Sequence, residues 1–429
     1  MSRTVEHHRV APQPDALATT VVTSWKAPIA FAIFTLIALA LAVFAPRPGE
    51  TTYRWSRETD AIQVPDLTVP AMQALWAVVA LLAVSTLYSV LLVRSKRRVP
   101  LWLIVVFALL FMFGFLTWAG AGSSLPMIGL LFGSLSLAVP LIYGSLAGVI
   151  GERAGVVNIA IEAQLLSGAF TAAVVASITG QPWLGLIAAM VAGMLVGMVL
   201  AAFAIKYFVD QVIVGVVLNV LVVGLTSFFF SQVLAPNAAA LNTPPRFDRL
   251  HIPVLGDIPI IGPVFFRQTI IVYLMYIAVA LVYIGLFHTR WGLRVRAVGE
   301  HPQAADTVGI RVNSTRFWNV ALAGAIAGLG GTFFTIGSGI AFNKEMTAGA
   351  GFIALAAVIF GQWDPIKATL AALLFGFASN LQNTLSVIGS PVPSEFMLML
   401  PYVVTIFAVA GLVGKSRAPA ADGKPYIKS

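Results

Sequence analysis

Residues 100 to 119 read PLWLIVVFALLFMFGFLTWA, twenty positions without a charged side chain. As an α-helix, a run of this length would measure about 30 Å, which is the thickness of the hydrocarbon core of a bilayer. The stretch therefore predicts a helix that crosses a membrane.

Runs of the same kind recur along the chain, which is 59% hydrophobic and 10% charged with a mean hydropathy of +0.91. We place them at 28–45, 71–93, 100–119, 126–147, 158–178, 183–205, 213–234, 268–287, 317–338, 368–388 and 396–413. A weaker run at 349–361 could be a re-entrant half-helix or the core of a short tilted span. We predict an all-α, polytopic helical membrane protein with about 10–12 transmembrane helices.

Lysine and arginine indicate the orientation of these runs. With all twelve runs crossing and the N-terminus inside, 19 of the 26 basic residues fall on the inner side. The positive-inside tendency then predicts that both termini are cytoplasmic. The run at 28–45 is followed by PRPGE rather than a small-residue cleavage site, so we expect an uncleaved N-terminus.

The sequence lacks the residues that several kinds of chemistry require. The chain has no cysteine and five histidines, which excludes disulfides and leaves little for zinc. GLVGKS at 411–416 resembles the end of a phosphate-binding loop, but Val409 stands where that loop needs glycine. We expect no catalytic residue, no metal site and no cofactor bound by this chain. The net charge of +9 gathers at the ends of apolar runs, which favours membrane topology over nucleic-acid binding.

The segment GERAGVVNIAIEAQ, residues 151–164, places charge and glycine between apolar runs. Glu162 is the one acidic residue clearly inside a predicted span, where a carboxylate needs a partner or a polar cavity. On a helix, Asn158 would share its face, whereas Gln164 would be turned about 200° away. We favour a buried hydrogen-bond network that holds helices together, with direct contact to a transported solute as the alternative.

Other polar side chains interrupt the apolar runs and offer a pathway for an uncharged solute. Asn380, Asn383 and Thr384 share one helix face, and Asn219 lies within the run 213–234. For the three asparagines we favour hydrogen bonding between helices, because asparagine joins helices as readily as it binds ligands, with the solute pathway as the alternative. Small residues four apart, Gly193 with Gly197 and Gly324 with Gly328, predict close helix packing.

Four separated motifs resemble a known family. They are GERAGVVNIAIEAQLLSGAF (151–170), WGLRVRAVGEHPQAADTVGIRV (291–312), AGAIAGLGGTFF (323–334) and GFIALAAVIFGQWDP (351–365). In this order they look like the permease subunits of bacterial ATP-binding cassette importers for branched-chain amino acids, simple sugars and nucleosides, closest to the nucleoside type. The resemblance covers about 126–413, and Ala163 departs from it where glycine is expected.

The resemblance implies a domain plan and a set of partners. The plan is a tail (1–26), an N-terminal transmembrane extension (27–125), a permease core (126–413) and a cytoplasmic tail (414–429). A second, different permease, an ATPase subunit that binds ATP and Mg²⁺, and an external solute-binding protein would complete the importer in a bacterial inner membrane. This chain would form the nucleoside pathway without a nucleotide site of its own.

The resemblance also implies that the cytoplasmic loop 288–316 docks a short helix on the ATPase. GEHPQAADTVGI supports a helix from Pro302 to Val308, because proline suits a first turn and Gly309 can end it. The predicted coupling residues are Gly299, Glu300, Pro302, Ala304, Ala305 and Gly309.

Other classes of protein remain open on the residues alone. An ion-coupled secondary transporter usually carries several ionisable groups at membrane depth, whereas the predicted spans show one, Glu162. A channel is expected to show a filter or charged rings, and neither is evident in the sequence. For an importer, a simple sugar is the runner-up solute and a branched-chain amino acid is third.

Overall fold

The computed structural model describes most of the chain. It covers residues 24–390 except 59 and 61, positions 392, 393, 395, 396 and 399, and residues 417–428. Contacts divide the chain into two units, one of residues up to Thr51 with 69–122 and one of 52–68 with 123 onward.

The first unit is a three-helix packing of α1 (Lys26–Phe44), α2 (Ala71–Arg94) and α3 (Leu101–Ala119). The rings of Phe31 and Phe107 stack at 3.9 Å between centroids, and Leu82 is fully buried beside them. The outward faces of all three helices carry exposed aliphatic side chains, as expected of helices in lipid.

The second unit contains eleven described helices. They are α4 (Met127–Arg153), α5 (Ile161–Thr179), α6 (Pro182–Ala201), α7 (Gln211–Phe229), α8 (Ala238–Leu241), α9 (Ile270–His288), α10 (Arg290–Glu300), α11 (Pro302–Thr307), α12 (Val312–Gly331), α13 (Ala350–Phe360) and α14 (Pro365–Val387). Single π-helical turns, Ala202–Lys206 and Phe230–Leu234, extend α6 and α7.

Within the described residues, nine helices are long and apolar enough to cross a membrane, which confirms the polytopic all-α fold. The run at 349–361 forms α13, whose 11 residues measure about 16 Å and cannot cross alone. The run at 368–388 forms α14, a helix of 23 residues made less apolar by the amides in its C-terminal half. The run at 396–413 lies outside the described residues, apart from positions 396 and 399.

Helix α4 forms the centre of the second unit and is buried almost continuously from Ser134 to Glu152. Helices α12, α13 and α14 pack along it. Helices α6 and α12 meet through glycine, because a side chain at Gly193 would overlap the backbone of Gly324 and Gly328. This contact confirms the packing role predicted for these small residues.

Short strands complete the described structure: β1 (Glu50–Arg54), β2 (Leu67–Pro70), β3 (Ser124–Pro126), β4 (Arg249–His251) and β5 (Arg267–Thr269). Strand β1 pairs with β3 in parallel, with Thr52 opposite Ser124. Strands β4 and β5 are antiparallel, with Arg249 opposite Thr269, and this hairpin leads directly into α9.

Candidate functional site

The carboxylate of Glu162 caps the half-helix α13. It accepts hydrogen bonds from the hydroxyl of Thr347 (2.6 Å) and the backbone amides of Gly349 (2.9 Å) and Gly351 (2.6 Å). Glu162 itself is in the first turn of α5, so one negative charge lies at the N-termini of two helices. The side chain is 6% exposed, and its position explains how a carboxylate is stabilised between apolar runs.

The predicted helical relation between Asn158 and Glu162 is wrong. Helix α5 begins at Ile161, so Asn158 precedes it and shares no helix face with Glu162. The side chains of Asn158 and Gln164 instead bond each other reciprocally, at 3.1 and 3.2 Å. Both are fully buried, because an amide pair satisfies its own donors and acceptors.

Asn219 fastens α7 to the start of α5. Its Oδ1 accepts from the amide of Ala163 and its Nδ2 donates to the carbonyl of Ile159, both at 2.9 Å. Ala163, where the family resemblance suggested glycine, is therefore part of this junction. Asn158, Glu162 and Asn219 use their polar atoms on the protein itself, in agreement with the favoured network interpretation.

The polar residues predicted on one face of α14 differ in their contacts. Asn380 donates to the carbonyl of Leu130 at 2.7 Å and packs against Gly133, which ties α14 to α4. Asn383 is exposed and Thr384 is half-buried, and neither side chain makes a hydrogen bond to the described part of the chain. Their assignment to a solute pathway stays a prediction.

A cavity of about 560 Å³ opens at the end of the second unit where α4 begins. It is lined by Phe132, Ser136, Arg246, Phe247, Asp248, Arg249, Gln268, Thr269, Phe333, Gly337 and Ser338. These residues come from α4, the segment that follows α12, the hairpin before α9 and the segment preceding β4. None was predicted, because four distant parts of the sequence converge on the cavity.

The cavity combines aromatic surface with hydrogen-bonding groups. The guanidinium of Arg249 lies 4.7 Å from the ring centroid of Phe132. Thr269 is 7% exposed, precedes the first turn of α9, and its buried hydroxyl has no hydrogen-bond partner in the described residues. The Nε2 of Gln268 bonds the carbonyl of Val264. The volume and the mixed lining are typical of pockets for small organic ligands.

The opposite end of the second unit carries the loop 288–316. A helix predicted from Pro302 to Val308 is present as α11, Pro302–Thr307, and Gly309 follows with a φ of 86°. Ala304 is exposed and Val308 is 76% exposed, so this face of α11 is open. The preceding helix α10 was not predicted.

Most of the remaining predicted coupling residues face the protein. Ala305 is 3% exposed and packs with Val298 and Val312, so a bulky residue there would disturb the loop itself and is a poor probe of docking. Pro302 and Gly299 are also buried, whereas Glu300 is exposed at the end of α10.

The charged turn GERAG joins the end of α4 to this loop. The Nε1 of Trp363 donates to the carboxylate of Glu152, and the Nε of Arg153 donates to the carbonyl of Trp363 at 3.0 Å. The backbone of α10 contacts the carbonyl of Arg153 so closely that only glycine fits at Gly299. The side chains of Glu152 and Arg153 therefore hold the turn after α13 against the end of α4, and Gly299 lets α10 pack at the same place.

Among the described residues, no group of three or more His, Asp or Glu side chains is arranged to hold a metal ion. The expectation of no metal or cofactor on this chain stays a prediction.

Comparisons with known proteins identify relatives over most of the chain. A family model described as "Branched-chain amino acid transport system / permease component" matches residues 130–409. The guanosine ABC transporter permease protein NupQ of Bacillus subtilis (strain 168) is 44% identical over 310 residues, covering 69% of this chain and 95% of NupQ. The nucleoside ABC transporter permease protein NupC of Lactococcus lactis subsp. cremoris (strain MG1363) is 40% identical, with the same coverage.

More distant relatives include two other permease proteins. The guanosine ABC transporter permease protein NupP, also of Bacillus subtilis (strain 168), is 26% identical over 66% of this chain and 83% of its own. The glucose ABC transporter permease protein TsgB13 of Haloferax volcanii is 28% identical over 63% of this chain and 74% of its own. No solved structure matches the chain.

Proposed function

The chain belongs to the family of branched-chain amino acid transport system permease components, and we propose that it forms the membrane pathway for a nucleoside in an ATP-driven importer. The family makes it a multi-pass membrane transport subunit. The nucleoside is favoured because NupQ and NupC, which this chain matches over 95% of their length, are named for guanosine and nucleosides.

The chemistry of the cavity at the start of α4 supports this choice of solute. A nucleoside is neutral and combines an aromatic base with sugar hydroxyls. Phe132, Phe247 and Phe333 offer ring surface, and Ser136 offers a hydroxyl group. A volume of about 560 Å³ is ample for one small solute. We place the entry of the solute here.

Partners follow from the same proposal. ATP and Mg²⁺ would be bound by a separate ATPase that docks on α11 from the cytoplasm, and an external binding protein would deliver the solute. A second permease is expected because Bacillus subtilis has two guanosine permease proteins, NupQ and NupP, related to this chain. The location would be a bacterial inner membrane with both termini cytoplasmic.

A simple sugar is the second candidate, since TsgB13 is named for glucose. Competition in cells that express the whole importer separates the two solutes. Uptake of labelled guanosine that excess ribose and glucose fail to suppress supports the nucleoside, and sugar uptake indifferent to guanosine would overturn it. Loss of uptake on ATP depletion, with resistance to a protonophore, separates an importer from an ion-coupled transporter.

A larger side chain that fills the cavity tests whether the solute enters there. Ser136→Trp puts an indole among the lining residues, and we expect the KM for guanosine uptake to rise about tenfold or uptake to be lost. Leu137→Trp is the matched control, because Leu137 is the next residue of α4 and is exposed outside the cavity. Equal KM values in the two variants would place the entry of the solute elsewhere.

A further inference from the structure

The last described segment of the chain, residues 417–428, lies against the loop 288–316. The amide of Ala421 donates to the carbonyl of Gly299 at 2.9 Å, and the amide of Ala420 donates to the carboxylate of Glu300 at 3.2 Å. Both acceptors belong to the last two residues of α10. Because α11 follows α10 after one residue, the tail holds the point from which α11 starts.

A buried cation anchors the tail. Arg316, in the first two turns of α12, is 2% exposed. Its Nη1 donates to the carbonyl of Lys424 at 2.8 Å and its Nη2 to the carbonyl of Ala421 at 3.5 Å. A buried guanidinium needs acceptors for its donors. Two carbonyls of the tail accept from Nη1 and Nη2, while Nε has no partner among the described residues. Gly155, at a φ of 88°, leaves the room that Arg316 occupies.

An aromatic residue of the tail packs beneath α11. Tyr426 is 6% exposed and forms a small apolar cluster with Val298, Ala305 and Val312. Its hydroxyl lies near the side chain of Asp306 in α11. The tail therefore covers the inner face of α11, while Ala304 remains exposed on the outer face.

Helix α11 has six residues, too few to hold its conformation without tertiary contacts. Its inner contacts come from α10, α12 and the tail. We propose that residues 419–426 are a brace that fixes α11 in the position from which it couples the ATPase to the pathway. Arg316 is the positioning residue that holds this brace in place. The inference rests on the proposed function, because it requires a partner ATPase that docks on α11.

Two truncated chains test whether the contacts of residues 419–426, and not merely the presence of a C-terminal tail, are needed for coupling. A chain that ends after Ser416 loses every contact described above. A chain that ends after Tyr426 keeps them all, and the residue it removes first, Ile427, is 71% exposed. In the whole importer, we expect the shorter chain to consume about tenfold more ATP per guanosine taken up, the scale of losing charged hydrogen bonds. The longer chain should match the full-length protein.

Point variants of the full-length chain cover the case in which the shorter chain fails to fold. Tyr426→Ala should uncouple ATP hydrolysis from uptake, and Tyr426→Phe, which keeps the ring, should restore most of the coupling. Arg316→Lys should weaken coupling, since one ammonium cannot reproduce a planar fork that serves two carbonyls. Coupling equal to wild type in Tyr426→Ala and Arg316→Lys would overturn the proposal.

Hydrogen exchange in the purified chain tests the brace without any transport. We expect the amides of 303–309 to exchange at least about tenfold faster in the chain that ends after Ser416 than in the chain that ends after Tyr426. Unchanged exchange would refute the brace, even if guanosine transport is intact. Faster exchange in a protein that does not transport guanosine would uphold the brace and refute the proposed function.

Discussion

Removing the negative charge of Glu162 should destabilise the protein in proportion to the donors left without an acceptor. One oxygen accepts from Thr347 and Gly349, and the other accepts from Gly351. In Glu162→Gln, the amide oxygen keeps the first two bonds but the NH₂ group faces the Gly351 amide. The lost charged bond costs about 2–3 kcal/mol of unfolding free energy.

Glu162→Leu leaves all three buried donors unsatisfied, and at roughly 1–2 kcal/mol for each donor the cost is about 3–6 kcal/mol. Glu345→Gln and Glu345→Leu are the matched controls, because Glu345 lies in the same connection but is exposed, and its side chain makes no hydrogen bond to the described residues. These controls should stay within about 0.5 kcal/mol of wild type.

The stabilities of the variants are measured by unfolding in detergent, with tryptophan fluorescence recorded against temperature or denaturant. The expected order of stability is wild type, Glu162→Gln and then Glu162→Leu, and Glu162→Gln should retain its preference for the solute. If Glu162→Gln were as stable as wild type yet lost guanosine uptake, the carboxylate would be acting on the solute and not as the cap of α13.

Three other changes have defined outcomes. Ala304→Glu, on the exposed face of α11, should leave the fold intact but reduce ATPase co-purification and uptake together, and unchanged retention of the ATPase would exclude docking there. Gly324→Val should destabilise by roughly 1–3 kcal/mol in thermal unfolding, since its side chain would meet a backbone carbonyl of α6, and equal stability would contradict that contact. Burial raises the pKa of the Asp422 carboxyl to about 7, and the nearby guanidinium of Arg316 opposes the rise. The carboxyl of Glu152 also faces Asp422. The folded state therefore binds this proton more tightly, so the tail should be protected better from proteolysis at pH 6 than at pH 8, and Asp422→Asn should remove the difference.

Features encoded by neighbouring residues were predictable from the sequence. The apolar runs gave the helices of the bundle, because lipid exposure leaves a continuous apolar signal. Pro302 and Gly309 located α11 to within one residue, since proline and glycine act on the local backbone. The four motifs indicated the family that the comparisons confirm.

Features made by distant residues were not predictable. The start of α5 was misplaced because the residues before Ile161 are also apolar, so hydropathy does not mark the first turn. The charge of Glu162 could be noticed, but its partners lie 185 to 189 residues away. The tail resembles a solvated basic end, and only the folded chain brings its carbonyls to Arg316.

ATP-dependent uptake by the purified importer is the most direct test of the account. Proteoliposomes that contain this chain, its partner permease and the ATPase would be supplied with guanosine-loaded binding protein outside and either ATP or a non-hydrolysable analogue on the side of α11. We expect labelled guanosine to accumulate with ATP, to stay at background with the analogue, and to be indifferent to a protonophore. Accumulation by this chain alone, driven by an ion gradient without ATP, would contradict it.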